Sequence, residues 1–507
     1  MTKRCSFSPR QQVLLAALSV GSMLGHAQTA STLPPSAPSN SNAHSKRASS
    51  KVAGSAGAAF AAPTVCAPCI RAHMDFLASD ALRGRGSGTP DERVAATYVG
   101  AVLEQYGIAP AGDDGTYIQR ATILQPKLKG APVMHYGSVD GNGTPWTYGQ
   151  DFEVEYFPKP TFQGPLQRVD AEALPDPSKV KVIKGAVVLV VGQDREKVRG
   201  ALFAVLSGGA VAAMSMTDKD HKAWDQAHDW PKPPRRLEGQ PGGLGGDDFG
   251  DVVLLSEAAF TGLKDVPEGT VFTLASEVGE SETSSTWNAV GKLQGSDPQA
   301  GVILLSAHLD HLGIGAAVNG DTIYNGADDD ASGTTAVLEL ARALAKGPRP
   351  RRTVIFALFG SEEAGGLGST WFQSHPPVLL DRMAANLEFE MLGRPDAKYS
   401  ADTLWLTGWE RSNLGPSLAA HGAKLQADKR PEEHFFMRSD NFVLAKKGVV
   451  AQTVSSYGMH KDYHQPSDDL AHIDFQHMTA AIGSMIRPVE WLVNSGFRPK
   501  WNPGGRP

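Results

Sequence analysis

The chain has 507 residues, 41% of them hydrophobic and 20% charged, with 54 Gly and 34 Pro. At roughly 100–200 residues per domain this leaves room for two or three globular domains, and the composition excludes collagen, coiled coil and wholesale disorder. The net charge is −6, but residues 1–64 carry Lys3, Arg4, Arg10, Lys46, Arg47 and Lys51 and no acid, so residues 65–507 hold 42 bases against 54 acids. An acidic body excludes nucleic acid as the main partner, because phosphate binding needs concentrated Lys and Arg.

Residues 1–27 read as a secretory signal. Lys3, Arg4 and Arg10 form a positive start, Val13 to Leu24 an apolar core, and Gly25-His26-Ala27 a small-residue end with cleavage expected after Ala27. The apolar core is shorter than the ~20 residues a transmembrane helix needs. An exported protein, periplasmic or secreted, is expected, with no transmembrane segment in the mature chain. Residues 28–64, rich in Ser, Ala, Pro and Asn, bury too little surface to offset their ordering entropy and read as a disordered linker. Cys66 and Cys69 follow without a second ligand pair, so a local structural disulfide is expected rather than a zinc or redox motif.

The body divides by pattern. Residues 65–125 alternate helical spacing (Ile70, His73, Met74, Leu77, then Val94, Tyr98, Val102, Leu103) with a Gly-rich turn. Residues 126–280 are Gly- and Pro-rich with short β-like runs such as Ala186–Val191 and Val252–Leu255, and predict a mostly β insertion. Residues 281–507 alternate strands and helices. Val302–Ser306 and Thr353–Phe359 are apolar runs of strands buried on both faces, Thr403–Thr407 and Val449–Val454 supply two more, and Val337, Leu340, Ala341 and Leu344 mark a helix face. This predicts an α/β fold with a largely parallel sheet, whose active site lies on loops leaving the strand C-termini.

Metal-ligand residue types recur on those loops. Ala307-His308-Leu309-Asp310 leaves the first strand; a neutral imidazole is a good zinc ligand, and a nearby carboxylate can fix its tautomer. His311 extends this motif as a residue of the surrounding shell or loop. Gly326-Ala327-Asp328-Asp329-Asp330-Ala331-Ser332-Gly333 comes next. Helix capping accounts for one Asp of this run and for three poorly, so a cation is expected. Ser361-Glu362-Glu363 leaves the second strand, with one glutamate suited to metal and the other to a water molecule. Asn386 to Gly393 adds Glu388 and Glu390 in an apolar setting, and Asp462-Tyr463-His464 a late histidine beside a phenol. Each alone is ordinarily structural; together, two His and three carboxylates suit a pair of zinc ions.

In these motifs the sequence resembles the dizinc exopeptidases of the aminopeptidase S and aminopeptidase Y type, whose wider kin include glutamate carboxypeptidase II and the transferrin receptor. The resemblance covers residues 70–125 and 283–495 and rests on HLD, GADDDASG, SEE, FEMLG and YH. It implies a three-layer α/β/α sandwich, and residues 126–280 resemble the protease-associated domain inserted in that family. His308 and Glu363 fall on zinc-ligand positions and Asp329 on the bridging carboxylate, with a cis peptide expected at Asp329–Asp330. Glu362 matches the general base, Tyr463 an oxyanion-stabilising tyrosine and Asp310 the orienting acid. Glu390 and His464 match the second ion's terminal ligands; Glu390 stands where Asp is common, and Glu388 is its rival. Arg438 aligns with an arginine that meets a substrate carboxylate, against the plainer reading of an ion-paired surface Arg. His434, with Phe435 and Phe436, either lines a specificity pocket or packs.

The implied function is an exported zinc aminopeptidase acting on peptides or proteins, in which a dizinc-bound water attacks with Glu362 as base. The rivals are a glutaminyl cyclase or a carboxypeptidase on the same scaffold, and a non-catalytic binding protein.

Overall fold

A computed structural model describes residues 64–137, 143–174, 179–217, 230–240 and 249–507. The signal expected over 1–27 and the linker expected over 28–64 lie outside the described residues, Thr64 apart. Among the described residues no helix is long and apolar enough to cross a membrane.

Two large sheets organise the chain. The first runs in the order Leu425–Ala427, Leu404–Leu406, Ala451–Ser455, Met383–Phe389, Val302–His308, Thr353–Phe359, Glu282–Leu293, Ile118–Gln125 and Arg236–Leu237, with Ala109–Pro110 also paired to Glu282–Leu293. The four strands from Ala451–Ser455 to Thr353–Phe359 are mutually parallel. The flanks add antiparallel pairs on both sides, although the edge pair Leu404–Leu406 with Leu425–Ala427 is parallel, so the sheet is mixed where a largely parallel one was expected. The physical reason is visible in the register. Gln125 pairs opposite Glu282, so the chain leaves the sheet and re-enters it at one point, and antiparallel pairing requires no crossover helix.

Every residue of Val302–His308 and Thr353–Phe359 is buried, as their unbroken apolar runs predict. Successive side chains point to opposite faces. Ile303, Leu305 and Ala307 pack with the helices Ala67–Leu77, Pro90–Gln105, Gly333–Lys346 and Phe475–Asn494, while Val302 and Leu304 pack with Phe372 and the Phe442–Ala445 stretch of a second helix group. Each fully buried Leu, Ile or Phe contributes about 1.5–3 kcal/mol. In Pro90–Gln105 the buried stripe is Ala95, Ala96, Val99, Val102 and Leu103; Val94, expected on that face, is exposed.

The second sheet has eight strands, all between Val133 and Ala275, and cores of its own around Phe152, Phe162 and Phe272 and around Val188, Leu206 and Phe249. Among its described residues it is mostly β, with one substantial helix, Arg195–Ser207. One short strand from this region, Arg236–Leu237, pairs instead with Ile118–Gln125 of the first sheet. Cys66 and Cys69 form the disulfide expected of them. The N–H of Cys66 donates to Glu339 Oε1 at 2.6 Å, which ties that turn to the helix Gly333–Lys346.

Candidate metal centre

The parallel register sets the ends of adjacent strands side by side. His308 pairs opposite Phe359, and the loop Gly360-Ser361-Glu362-Glu363 follows immediately. Ser306 pairs opposite Glu388, so Glu390 lies just past the end of the third strand. His464 arrives on the loop after Ala451–Ser455. Ser361, Met391 and His464 all have positive φ (53°, 56° and 57°). Non-Gly residues in that region are uncommon and cluster where a site over-determines the backbone.

The Asp328-Asp329-Asp330 turn divides its carboxylates. Asp328 Oδ1 accepts the N–H of Gly393 (2.6 Å) and the hydroxyl of Ser332 (3.2 Å). Asp330 accepts the N–H groups of Gly333 (2.9 Å) and Met391 (3.0 Å) with Oδ1, and that of His308 (3.3 Å) with Oδ2. Both are therefore backbone fasteners. Asp328 also meets a histidine, with its Oδ2 3.1 Å from His460 Nε2, whereas the middle residue, Asp329, faces two: His308 Nε2 lies 3.0 Å from its Oδ1 and His464 Nε2 3.2 Å from its Oδ2. The peptide Asp329–Asp330 is cis. Gly326 has φ 59°, and a Cβ there would strike the Asp329 carbonyl and the His311 ring.

The ligand types gather in two overlapping groups around Asp329: His308 with Glu390, and His311 with Glu363. His464 Nε2 is also 3.2 Å from Glu363 Oε2. The geometry thus joins Glu390 to His308 and His464 to Glu363, whereas the resemblance assigned Glu390 and His464 to one ion. His311, read as a residue of the surrounding shell or loop, places Nδ1 2.8 Å from Glu363 Oε1 and 3.9 Å from Asp329 Oδ2. Glu388 is outside both groups, and both its oxygens are buried without a hydrogen-bond partner.

The donor chemistry fits divalent cations. The Nε2 atoms of His308, His311 and His464 are buried without a hydrogen-bond partner, although carboxylates stand within about 4 Å of these rings. Unpaired buried polar atoms are costly, and a cation between imidazole and carboxylate would satisfy both. Electrostatics agree. Burial works to raise Asp329, but its contacts to His308 and His464 and the charge of His311 outweigh it and hold the carboxyl well below its usual range. Burial likewise opposes Glu363, which the charge of His464 brings down to about 2. Burial works to lower His464, yet Glu363 and Asp329 raise it to about 10. The site is a cation-seeking cluster.

Asp310 supports it from behind. Its carboxylate accepts the hydroxyl of Ser87 (2.5 Å) and the N–H groups of Glu362 (2.9 Å) and Glu363 (3.4 Å). Its Oδ1 is 3.7 Å from His308 Nδ1, which is nearer, at 3.2 Å, to the Asp310 carbonyl. Burial, with the charges of Asp440, Glu363 and Glu390 against that of His308, raises Glu362 well above the ordinary carboxyl range. Burial also raises Tyr463, whose ring stacks on His464 at 3.8 Å. Arg438 is ion-paired, as its plainer reading had it, with Glu433 3.8 Å away, but its side chain is largely buried and its guanidinium lies 5.0 Å over the Phe435 ring. Phe435 and Phe436 are buried and pack in different clusters.

Sequence reasoning missed Arg85. It is fully buried, and its guanidinium donates to the carbonyls of Leu309 (2.8 Å), Asn325 (2.7 Å), Gly326 (2.9 Å) and Leu77. It therefore fastens both loops that carry His308 and Asp329 and sets a positive charge beneath the acids. Its only sequence signal is its place in the Gly84-Arg85-Gly86 turn.

Residues 288–488 match the model of Peptidase family M28. The chain is 30% identical over 130 residues to leupeptin-inactivating enzyme 1 of Streptomyces exfoliatus, covering 25% of this chain and 27% of that protein. It is 36% identical over 114 residues to an aminopeptidase of Pseudomonas aeruginosa strain UCBPP-PA14, covering 22% of this chain and 19% of that one. These matches thus span about a quarter or less of the relatives' own lengths. Among solved structures, the aminopeptidase from Aneurinibacillus sp. strain AM-1 superposes with a TM-score of 0.52 at 18% identity, over 85% of this chain and 95% of that one. In sequence over residues 288–488, then, the chain matches Peptidase family M28, and its backbone has the mixed α/β fold of a solved bacterial aminopeptidase.

Proposed function

We propose that this protein is an exported zinc metallopeptidase that removes N-terminal residues from peptides, built as a three-layer α/β/α catalytic body with a protease-associated-like insertion at 126–280. The observation that carries the reading is the convergence of His308, His464, Glu363 and Glu390 on the single carboxylate of Asp329. The family match over 288–488 supports the chemistry, and the names of the relatives support the aminopeptidase reading. The basic and apolar run in residues 3–24 supports export.

In this reading His308 and Glu390 would hold one zinc and Glu363 and His464 another, with the Asp329 carboxylate available to both. Zinc, when bound, lowers the pKa of water and polarises a carbonyl. The chain's own groups do the rest. Glu362, raised by burial, takes the proton of the attacking water and returns it to the leaving amine. Tyr463 keeps its phenolic proton and donates it as a hydrogen bond to the developing oxyanion. Asp310 holds the backbone of Glu362 and Glu363 in place.

The test is a panel of one peptide with free, N-acetylated and C-amidated ends. Release of N-terminal residues from the free and C-amidated forms, but not the acetylated one, supports an aminopeptidase. Cleavage that requires the free C-terminus identifies a carboxypeptidase, and no cleavage despite bound zinc favours a cyclase or binding protein.

A further inference from the structure

Beyond the ligand set, one acid holds the turn that presents Asp329. Asp468 is fully buried and its carboxylate accepts two successive backbone N–H groups: that of Asp328 (3.0 Å to Oδ1, 3.2 Å to Oδ2) and that of Asp329 (3.0 Å to Oδ2). Its carbonyl accepts the N–H of Ala327 at 2.9 Å, so three consecutive residues of the turn hang on Asp468. Hydrogen bonds to a carboxylate are roughly twice as strong as those between neutral groups.

The same acid is linked to the other side of the site. Arg394 puts Nη2 3.4 Å from Asp468 Oδ1 and Nη1 2.8 Å from Asp462 Oδ2. Asp462 immediately precedes Tyr463 and His464, and its Oδ1 also accepts the Ser467 hydroxyl at 2.7 Å. The Arg394 carbonyl is itself held by Ser456 Oγ at 2.7 Å. The planar guanidinium thus spans two carboxylates, one fastening the Asp329 turn and one at the root of the His464 loop.

We infer that Asp468, Arg394 and Asp462 form a clamp that sets Asp329 and His464 at the spacing one cation requires, with Asp468 and Arg394 as positioning residues. The inference rests on the metal-centre reading above. Without the clamp, the Asp329 turn and the His464 loop lose these ties and keep the contact of Asp328 Oδ2 with His460 Nε2 at 3.1 Å, so binding the ion has to do more of the ordering. Losses of this kind in groups supporting metal ligands cost about 10–100-fold in affinity.

The experiment uses the whole chain and reads zinc affinity by chelator competition, the melting temperature with and without zinc, and the visible spectrum with cobalt in place of zinc. Asp468→Asn, which replaces one accepting oxygen by a donor, and Arg394→Met, which keeps the stem and removes the fork, are compared with the unmodified chain. Each is expected to lower zinc affinity about 10–100-fold and to change the cobalt spectrum. The melting temperature of the metal-free protein should move less than the increment zinc adds. Arg394→Lys should recover part of the affinity lost in Arg394→Met, because it restores the charge without the fork. If Asp468→Asn does not fold, the arginine pair alone decides the outcome. Variants that take up zinc with unmodified affinity and an unmodified cobalt spectrum overturn the clamp. An unmodified chain that binds no zinc overturns the metal-centre reading, and the clamp with it.

Discussion

The backbone N–H of Glu362 donates to Asp310 Oδ1 at 2.9 Å. These residues follow the ends of adjacent parallel strands and are 52 positions apart in sequence. One carboxylate therefore stands between the loop that carries His308 and the loop that carries Glu362 and Glu363. In Asp310→Asn, an amide N–H₂ would face backbone N–H donors. Zinc affinity should fall about 10–100-fold, and turnover should fall with it. Chelator competition and kcat on one preparation check this; an unchanged affinity removes Asp310 from its supporting role.

Glu362 is the proposed base and stands outside both ligand groups. Glu362→Gln keeps the size and removes the basic oxygen. It should retain zinc and lose turnover by roughly 10²–10⁴-fold. Metal content with single-turnover rates separates the effects, and a near-normal rate would assign the base elsewhere.

Glu390 and Glu388 lie two residues apart on one strand end, yet only Glu390 joins His308 and Asp329. Glu390→Gln should bring zinc content from two per chain toward one. Glu388→Gln should leave it at two, because burial, with the charges of Asp440 and Glu390, raises Glu388 well above the usual carboxyl range and already favours its neutral form. Elemental analysis of both variants decides between them.

One source of acid sensitivity should lie outside the candidate metal groups. Burial, with the charge of Arg342, lowers His73 to about 4 from 6.5, and its ring nitrogens lie 2.8 and 3.0 Å from the hydroxyls of Tyr98 and Tyr106. A histidine lowered in the folded state is neutral there while the unfolded chain binds its proton. Its contribution is complete above pH 6.5 and falls away as pH drops toward 4, by about 3 kcal/mol. His73→Gln should flatten that part of the stability curve. Denaturant unfolding between pH 7 and 4 measures it, and an equal slope in both proteins removes His73 as the cause.

The sequence pattern revealed what burial on both faces dictates. Val302–His308 and Thr353–Phe359 are unbroken apolar runs, and their ends carry the site. Glu282–Leu293 left no comparable trace: its first half is Glu-Thr-Ser-Ser-Thr, and its strand character comes from pairing with Ile118–Gln125 and Thr353–Phe359. Leu312 and Ile314 are exposed around a hairpin, Gly313–Val318 with Asp321–Tyr324, whose strands carry no buried apolar run. Among site residues, those that meet a ligand were legible by type. Arg85 and Asp468 were not, because they act on backbone groups far away in sequence, and such contacts leave no spacing to read.

The central claim is that Asp329 bridges two zinc ions and that this centre cleaves peptides. Zinc titrated into chelated protein, with release of the N-terminal residue of a free peptide followed at each step, tests it most directly. The account predicts uptake that saturates at two ions per chain, with activity returning as the ions bind and no return in Asp329→Asn. Saturation at one ion with full activity, or uptake of two ions with no cleavage, would contradict it.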